Sequence, residues 1–300
     1  MLAFLVCAAL LVGAEVSAQS CGIAAYSQIR VVNGVEARAN SWPWQALVQR
    51  YSGGRWVNYC GGTLIDSQWV LTSASCYTSG YSYRVVLGKH SVSTTESGQV
   101  TPALSLIAWH SYWNPSIPAN GYDIAMFKIA SPVAISSTVR PACLPSANQI
   151  LPNNYPCYVT GWGSLSTASG PSPSALQQAS LPVVDYATCS QASWWGSSLK
   201  SSVICAGGST RSACYGDGGG PLNCQRSDNA WVVQGITSYV SSLGCNTIRK
   251  PTVFTRVSAY NSWISNVMSV YREAPKLANG EQRVNSGANA TIAAFSQPQE

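Results

Sequence analysis

The chain has 300 residues, only 9% of them charged, and a formal net charge of +6. That length can bury a sizeable core without metals or disulfide staples. The basic residues contain no run of five, which argues against a nucleic-acid-binding protein, and eleven cysteines indicate an oxidising compartment.

The N-terminus predicts a secreted precursor. Residues 2–12 form an apolar run that is too short to span a membrane and precedes a small-residue cleavage pattern, so we interpret residues 1–18 as a signal peptide. Residues 19–30 then form a propeptide that ends in Arg30. A trypsin-like protease that cuts there would create a new α-amine on Val31. No later stretch is long and apolar enough to span a membrane, so we expect a secreted, extracellular protein.

Residues 31 to about 256 predict an all-β fold. Short runs of alternating apolar residues are separated by Gly, Pro, Ser and Asn, which favours an antiparallel barrel or sandwich over alternating strands and helices. Examples of these runs are residues 44–48, 63–71, 83–87, 124–129, 158–162 and 231–238.

The C-terminal part predicts a helix followed by a tail. In residues 257–270 apolar side chains recur at helical spacing, which indicates one amphipathic helix. Residues 271–300 are rich in Ala, Asn, Gly, Gln and Ser and predict a disordered tail. The tail contains the sequon Asn289-Ala290-Thr291, so Asn289 is a candidate for glycosylation.

Five stretches together carry a family resemblance. They are Trp69-Val70-Leu71-Thr72, Gly121-Tyr122-Asp123-Ile124-Ala125, Cys157-Tyr158-Val159-Thr160-Gly161-Trp162-Gly163, Gly216-Asp217-Gly218-Gly219-Gly220-Pro221-Leu222 and Lys250-Pro251-Thr252-Val253-Phe254-Thr255-Arg256-Val257-Ser258. With these, residues 31–270 resemble the chymotrypsin-like proteases of peptidase family S1, and most closely pancreatic elastase of the type-1 kind. The resemblance implies two six-stranded antiparallel barrels, an active site in the cleft between them and a C-terminal helix.

The resemblance also pairs the cysteines, which the sequence by itself leaves open. Cys7 leaves with the signal peptide, and the remaining ten are all used. The implied disulfides are Cys21–Cys143, Cys60–Cys76, Cys157–Cys224, Cys189–Cys205 and Cys214–Cys245. No thiol is then left as a nucleophile or metal ligand, and the first bridge would keep the propeptide attached after cleavage.

The catalytic triad of that family is incomplete in this sequence. A Ser-His-Asp triad needs a hydroxyl that attacks, an imidazole that moves its proton and a carboxylate that orients the imidazole. Asp123 supplies the carboxylate, but Ser75 stands in place of the histidine and Gly218 in place of the serine. The chain's two histidines, His90 and His110, match histidines that elastases carry away from the cleft, so we expect structural roles for both.

Other parts of the catalytic loop match the family. The backbone N–H groups of Gly216 and Gly218 match the donors that stabilise an oxyanion. Asp217 matches the carboxylate that pairs with the new N-terminus, here Val31. The resemblance therefore implies that cleavage after Arg30 still orders the cleft.

The resemblance also implies a pocket for a small side chain. The positions that match its floor and walls are Ser212, Ala213, Ser238, Tyr239, Val240 and Thr252. Val240 and Thr252 are bulkier than the glycines of trypsin-like pockets, and Ser212 is not acidic, so basic ligands are not expected. The segment 238–240 resembles one that pairs with an extended peptide.

No metal or cofactor is predicted. The family often carries a calcium loop in which two glutamates supply oxygens, but Lys89 and Gln99 occupy the matching positions and leave Glu96 as the only carboxylate.

The ionisation of Asp123 stays open at this point. Burial would raise the pKa of its carboxyl group, whereas hydroxyl donors from Ser75 and Ser238 would lower it.

These features predict a secreted, catalytically inactive elastase-like protease homologue, a pseudoprotease that acts by binding a ligand that the sequence does not identify. A first alternative is a decoy that captures protease inhibitors or peptides in the elastase-like cleft. Azurocidin, an inactive family member, resembles this chain in having the same two replacements, and it binds anionic ligands. A second alternative is therefore a protein that binds heparin-like glycans or lipopolysaccharide. A third is an active elastase-like endopeptidase that uses other groups, and a fourth is a digestive protein that has lost its function.

Overall fold

We describe the protein from a computed structural model, which describes residues 21–24, 34–167, 172–272 and 291–295. The predicted cleavage site Arg30-Val31, most of residues 1–30 and the sequon residue Asn289 lie outside these ranges. Within them, no helix has the length and apolarity needed to cross a membrane.

The described chain is mostly strand. In chain order the strands are β1 (Val35–Glu36), β2 (Gln45–Ser52), β3 (Arg55–Asp66), β4 (Trp69–Thr72), β5 (Tyr83–Leu87), β6 (Leu104–His110), β7 (Ala125–Ile129), β8 (Cys157–Gly161), β9 (Gln177–Ser180), β10 (Val183–Val184), β11 (Val203–Ala206), β12 (Pro221–Gln225), β13 (Trp231–Tyr239), β14 (Thr252–Arg256) and β15 (Thr291–Phe295). The α-helices are α1 (Tyr186–Cys189) and α2 (Asn261–Val270). Single 3₁₀ turns span Ala74–Cys76, Pro118–Asn120 and Val257–Ala259.

The strands form two curled sheets that confirm the predicted double-barrel architecture. The first has the order β15-β6-β7-β4-β3-β2-β5, and the second has the order β1-β9-β8-β12-β13-β14-β11-β10. All pairings between these strands are antiparallel except that of β15 with β6. The first sheet therefore holds the six predicted strands plus one more, and the short strands β1 and β10 extend the second.

Two details differ from the strand and helix predictions. The run 63–71 is not one strand, because the chain turns at Ser67 and Gln68, where the Gln68 N–H donates to Asp66 Oδ1 (3.1 Å). The predicted helix over 257–270 begins with a 3₁₀ turn and becomes α-helical at residue 261. Its apolar face is buried, as the spacing of its residues predicts, except at Val270, which is exposed at the helix end.

Aromatic side chains pack between the two barrels. Trp42 contacts the rings of Trp44, Tyr158 and Trp231, and Trp44 Nε1 donates to Asn223 Oδ1 of β12 (2.7 Å). These contacts bury large aromatic surfaces where the first barrel meets the second.

All five implied disulfides are present: Cys21–Cys143, Cys60–Cys76, Cys157–Cys224, Cys189–Cys205 and Cys214–Cys245. The first holds residues 21–24 against the second barrel. Gly22 takes part there by donating to Pro141 O (2.8 Å) and accepting from the Trp231 N–H (2.9 Å).

The prediction of a disordered tail is wrong for residues 291–295, which form β15 parallel to β6. Composition misled the prediction because two buried side chains, Ile292 and Ala293, anchor this strand in a segment that is otherwise polar and small. Residues 273–290 and 296–300 lie outside the described part of the chain.

Candidate active site

Asp123 lies buried at the start of β7, with 1% of its surface exposed. Its Oδ1 accepts from the Ser75 N–H (2.8 Å), and its Oδ2 accepts from Ser75 Oγ (3.1 Å) and Ser238 Oγ (2.6 Å). The structure therefore brings together residues from the 3₁₀ turn after β4, from the start of β7 and from β13. The carboxylate has hydroxyl and amide donors around it and no imidazole.

Burial raises the pKa of Asp123 to about 6, although hydrogen bonds from Ser238 and Ser75 work in the opposite direction. The desolvation of a carboxylate without a charged neighbour outweighs the donors here. The sequence leaves the direction of the Asp123 pKa shift open, and in the structure the pKa is raised.

The backbone around Asp123 is held by distant residues. Tyr122 has a left-handed φ of 63°, which is uncommon for an aromatic residue, and its N–H donates to the Tyr260 hydroxyl (3.0 Å). Thr255 Oγ1 donates to the Asp123 carbonyl (2.7 Å). Such strain persists only where the surroundings fix it, and here β14 and the start of α2 do so.

Ser75 is the exposed residue of the turn Ala74–Cys76, which follows the buried strand β4. Its Oγ lies 2.9 Å from Ser73 Oγ. Because Ser75 donates to Asp123, Ser73 can donate to Ser75 in turn. Sequence reasoning missed Ser73, whose buried hydroxyl completes this hydroxyl chain. The hydroxyls of Ser73 and Ser75 cannot act as general bases near pH 7, because a serine hydroxyl loses its proton only far above that pH.

The loop that carries Gly218 is packed tightly except at Gly218 itself. A Cβ on Gly219 would lie 2.2 Å from Thr72 Oγ1, whereas a Cβ on Gly218 would meet only Cys60 Sγ, at 3.9 Å. A Cβ atom at position 218 therefore fits without repacking. The Gly218 carbonyl accepts from the Gly61 N–H (2.8 Å), which ties this loop to β3.

The N–H groups of Gly216 and Gly218 have no acceptor within the described residues. Gly216 adopts a φ of 99°, a conformation that favours glycine. The loop thus leaves two backbone N–H groups, one on each side of Asp217, without a described backbone acceptor.

Asp217 is buried beneath this loop. Its Oδ1 accepts from the Gly163 N–H (2.8 Å) and its Oδ2 from the Cys214 N–H (2.9 Å). Burial raises its pKa to about 6 against these two bonds, and no cation pairs with it in the described part of the chain. A cavity of about 220 Å³ opens onto Asp217 and extends to Gly34, three residues after Val31.

Two glycines make room for this carboxylate. A Cβ on Gly161 would lie 2.0 Å from Asp217 Oδ1, and one on Gly163 would lie 2.5 Å from its Cγ. Sequence reasoning quoted both glycines only as part of a motif and gave them no role. Their contact with Asp217 joins residues far apart in the chain and could not be inferred from local pattern.

The predicted pocket residues converge at the ends of β13 and β14. The Ala213 N–H donates to Thr252 Oγ1 (3.0 Å), and both residues are buried. Ser212 Oγ donates weakly to Asn246 Oδ1 (3.4 Å). Tyr239, the last residue of β13, pairs with Val253, and Val240 follows directly after the strand. Ser238 belongs to both groups, since it also binds Asp123.

Neither histidine hydrogen-bonds with Asp123 or with the Gly218 loop. His90 Nε2 lies 3.0 Å from Glu36 Oε1, which belongs to strand β1 of the second sheet. His110 is fully buried and stacks on Trp263, and burial lowers its pKa to about 4. These positions agree with the structural roles that the sequence predicts for both.

The loop that matches the family's calcium loop is closed by a lysine. Lys89 Nζ donates to Gln99 Oε1 (2.7 Å) and to the Thr94 carbonyl. Glu96 accepts from the N–H groups of His90 (2.7 Å) and Ser91 (2.9 Å). An ammonium group therefore lies among the oxygens of this loop.

Comparisons with known proteins agree with this geometry. A family model described as trypsin matches residues 31–264. The chain belongs to the trypsin family of serine peptidases. It is 52% identical over 241 residues to chymotrypsin-like elastase family member 1 of Felis catus, covering 80% of this chain and 90% of the relative.

Two further elastase relatives are similarly close. The chain is 51% identical to chymotrypsin-like elastase family member 1 of Canis lupus familiaris over 241 residues (80% of this chain, 93% of the relative). It is 50% identical to human chymotrypsin-like elastase family member 3B over 242 residues (80% and 89%). The predicted resemblance to elastases is therefore confirmed. The family match ends at residue 264, so β15 lies beyond it.

Proposed function

We propose that this member of the trypsin family is a secreted pseudoprotease that binds extended peptides or protease inhibitors in an elastase-like cleft without cleaving them. The observation that carries the proposal is the replacement of both reactive side chains inside an otherwise ordered site. Asp123 is bound by Ser75 and Ser238 where the family places an imidazole, and residue 218 has no hydroxyl.

The expected loss of turnover is large. In a serine protease that has the same triad on an unrelated fold, removal of the whole triad costs about 10⁶-fold in kcat, and backbone donors and binding alone retain about 10³–10⁴-fold over water. The N–H groups of Gly216 and Gly218 could supply that remnant. It would not sustain a working peptidase.

Retained binding is supported by the walls of the pocket. Thr252 is fixed by the Ala213 N–H, and Tyr239 is held by an edge contact with the Trp195 ring (5.3 Å). Trp195 is itself anchored, since its Nε1 donates to Pro251 O (2.9 Å). A preformed wall loses little conformational entropy when a ligand binds.

Secretion and activation complete the proposal. Five disulfides suit an oxidising, extracellular compartment. Asp217, buried without a described counter-charge at the end of a cavity that reaches Gly34, suits pairing with a new α-amine on Val31. The activating enzyme would be a trypsin-like protease that cuts after Arg30.

Calorimetry with two short peptides tests the binding claim. We expect the trypsin-treated chain to bind a peptide that ends in Ala and not one that ends in Phe, because Val240 and Thr252 narrow the pocket. Val240→Gly should admit the Phe peptide, whereas Leu243→Gly, at a residue 81% exposed, should not. Equal binding of both peptides by the unmodified chain, or binding of neither, would contradict a functional pocket.

A second candidate function is the binding of anionic glycans. The Arg50 guanidinium lies 4.0 Å from the Tyr59 ring centre and 4.2 Å from that of Tyr81, and Arg84 lies 4.5 Å from the Trp56 ring centre. Neither arginine forms an ion pair with a carboxylate of the described residues. Arg84 pairs with Gln49 across the sheet, so Arg50, the next residue of β2, lies on the opposite face. Each guanidinium could bind a sulfate group on its own face. Retention on heparin that falls with salt and is lost in Arg50→Ala/Arg84→Ala would support it.

A further inference from the structure

The C-terminal strand β15 occupies an edge of the first barrel that the family match does not cover. It pairs with β6 in parallel, in the register Thr291 with Leu106 through Phe295 with His110. A strand edge that lacks a neighbour exposes backbone N–H and C=O groups and can accept another strand. In this protein residues 291–295 of the same chain cover the edge of β6.

Specific contacts fix the end of β15. The Phe295 carbonyl accepts from the Ser111 N–H (2.8 Å) and from Trp263 Nε1 (3.0 Å). Trp263 is fully buried, so its indole N–H needs a partner there. The Phe295 ring makes an edge contact with Tyr271, with ring centres 5.8 Å apart.

The side chains along β15 differ in how deeply they are buried. Ile292 and Ala293 are each 5% exposed, whereas Ala294 is exposed. Ala293 belongs to the core of the first barrel, where a larger side chain would require repacking. The edge therefore selects a branched aliphatic residue, then a small residue, then any residue, then an aromatic one.

We propose that the β6 edge is a peptide-docking site, separate from the cleft, that residues 291–295 occupy in cis. Its ligands in trans are extended segments with the same pattern, added as a parallel strand. The chain's own strand competes with such ligands, because a tethered segment has an effective concentration on the order of mM. The site does not depend on the proposed function of the cleft.

Hydrogen exchange in the full-length chain tests the cis contact. Ile292→Asp places a charge in the buried position and should release β15, so that the Ser111 amide exchanges about tenfold faster or more. Ala294→Asp adds the same charge on the exposed side and should leave that rate unchanged. Phe295→Ala, which adds no charge, should give a smaller acceleration by removing the Tyr271 contact.

Titration with a peptide tests the site itself. Acetyl-Thr-Ile-Ala-Ala-Phe-amide should bind the Ile292→Asp chain and restore slow exchange at Ser111, and should bind the unmodified chain about tenfold more weakly. A peptide with Asp in place of Ile should bind neither. The proposal is wrong if the first peptide binds neither the Ile292→Asp nor the Phe295→Ala chain. It is also wrong if that peptide binds the unmodified chain and the Ile292→Asp chain with equal affinity.

Discussion

Replacing Asp123 with asparagine should stabilise the protein at neutral pH. Burial raises the pKa of Asp123 from its ordinary value of 3.8 to about 6. The folded chain therefore holds this proton more tightly than the unfolded chain, and its stability falls as the pH rises through that interval. One pKa unit corresponds to about 1.4 kcal/mol, so the charged carboxylate costs about 3 kcal/mol above pH 6.

Asparagine avoids this cost while keeping the hydrogen bonds. Its Oδ1 can accept from the Ser75 N–H, and its Nδ2 can donate to the Ser75 and Ser238 hydroxyls, which rotate to accept. Asp123→Asn should thus be close to neutral at pH 4 and more stable than the unmodified chain by about 3 kcal/mol at pH 7.

Urea unfolding at pH 4, 5, 6 and 7 measures this difference. Asp217 titrates over the same range in both chains, so the comparison isolates Asp123. Ser238→Ala removes the 2.6 Å donor and should move the loss of stability to higher pH. A stability difference between Asp123→Asn and the unmodified chain that does not change with pH would refute the reasoning.

Three further predictions concern the surroundings of the cleft. Cleavage after Arg30 should raise Tm by several degrees, at about 2–4 °C per kcal/mol of added stability. It should also flatten the pH dependence of the stability between pH 4 and 6, because the new amine lowers the pKa of Asp217. Asp217→Asn should abolish that gain in a thermal scan. Gly161→Ala should lower the free energy of unfolding, measured in urea, by about 3 kcal/mol or more, because its Cβ would lie 2.0 Å from Asp217 Oδ1. Gly34→Ala, whose Cβ would lie 3.8 Å from its nearest neighbour, should change the free energy of unfolding little. Equal losses of stability in the two variants would contradict the steric account. The double variant Lys89→Glu/Gln99→Glu should place three carboxylates in this loop, together with Glu96, and its Tm should rise when calcium is added. Lys89→Ala should show no such rise. A Tm of the unmodified chain that depends on calcium would contradict the role given to Lys89.

Much of the fold followed from the sequence because local signals agreed with one another. Alternating runs predicted the strands, and the family resemblance supplied the disulfide pairing. It also placed Ser75 and Ser238 next to Asp123, as the hydrogen bonds show. These features depend on residue types whose roles are visible in short stretches.

What the sequence did not reveal depends on contacts between distant residues. The fit of Gly161 and Gly163 around Asp217, and the closing of the 89–99 loop by Lys89, required the three-dimensional arrangement. Strand β15 was missed because a few buried side chains decide its position, and composition averages them away. The direction of the Asp123 pKa shift needed the actual burial of its carboxyl group.

The central claim is that the two replaced side chains, and not a damaged cleft, prevent peptide-bond cleavage. Hydrolysis of a small-residue elastase ester by the trypsin-treated chain, compared with the double variant Ser75→His/Gly218→Ser, tests it most directly. We expect no turnover by the unmodified chain and measurable turnover by the double variant, since a Cβ atom at position 218 meets nothing closer than 3.9 Å. Turnover by the unmodified chain that a serine-protease inhibitor abolishes, or silence of both chains, would contradict the account.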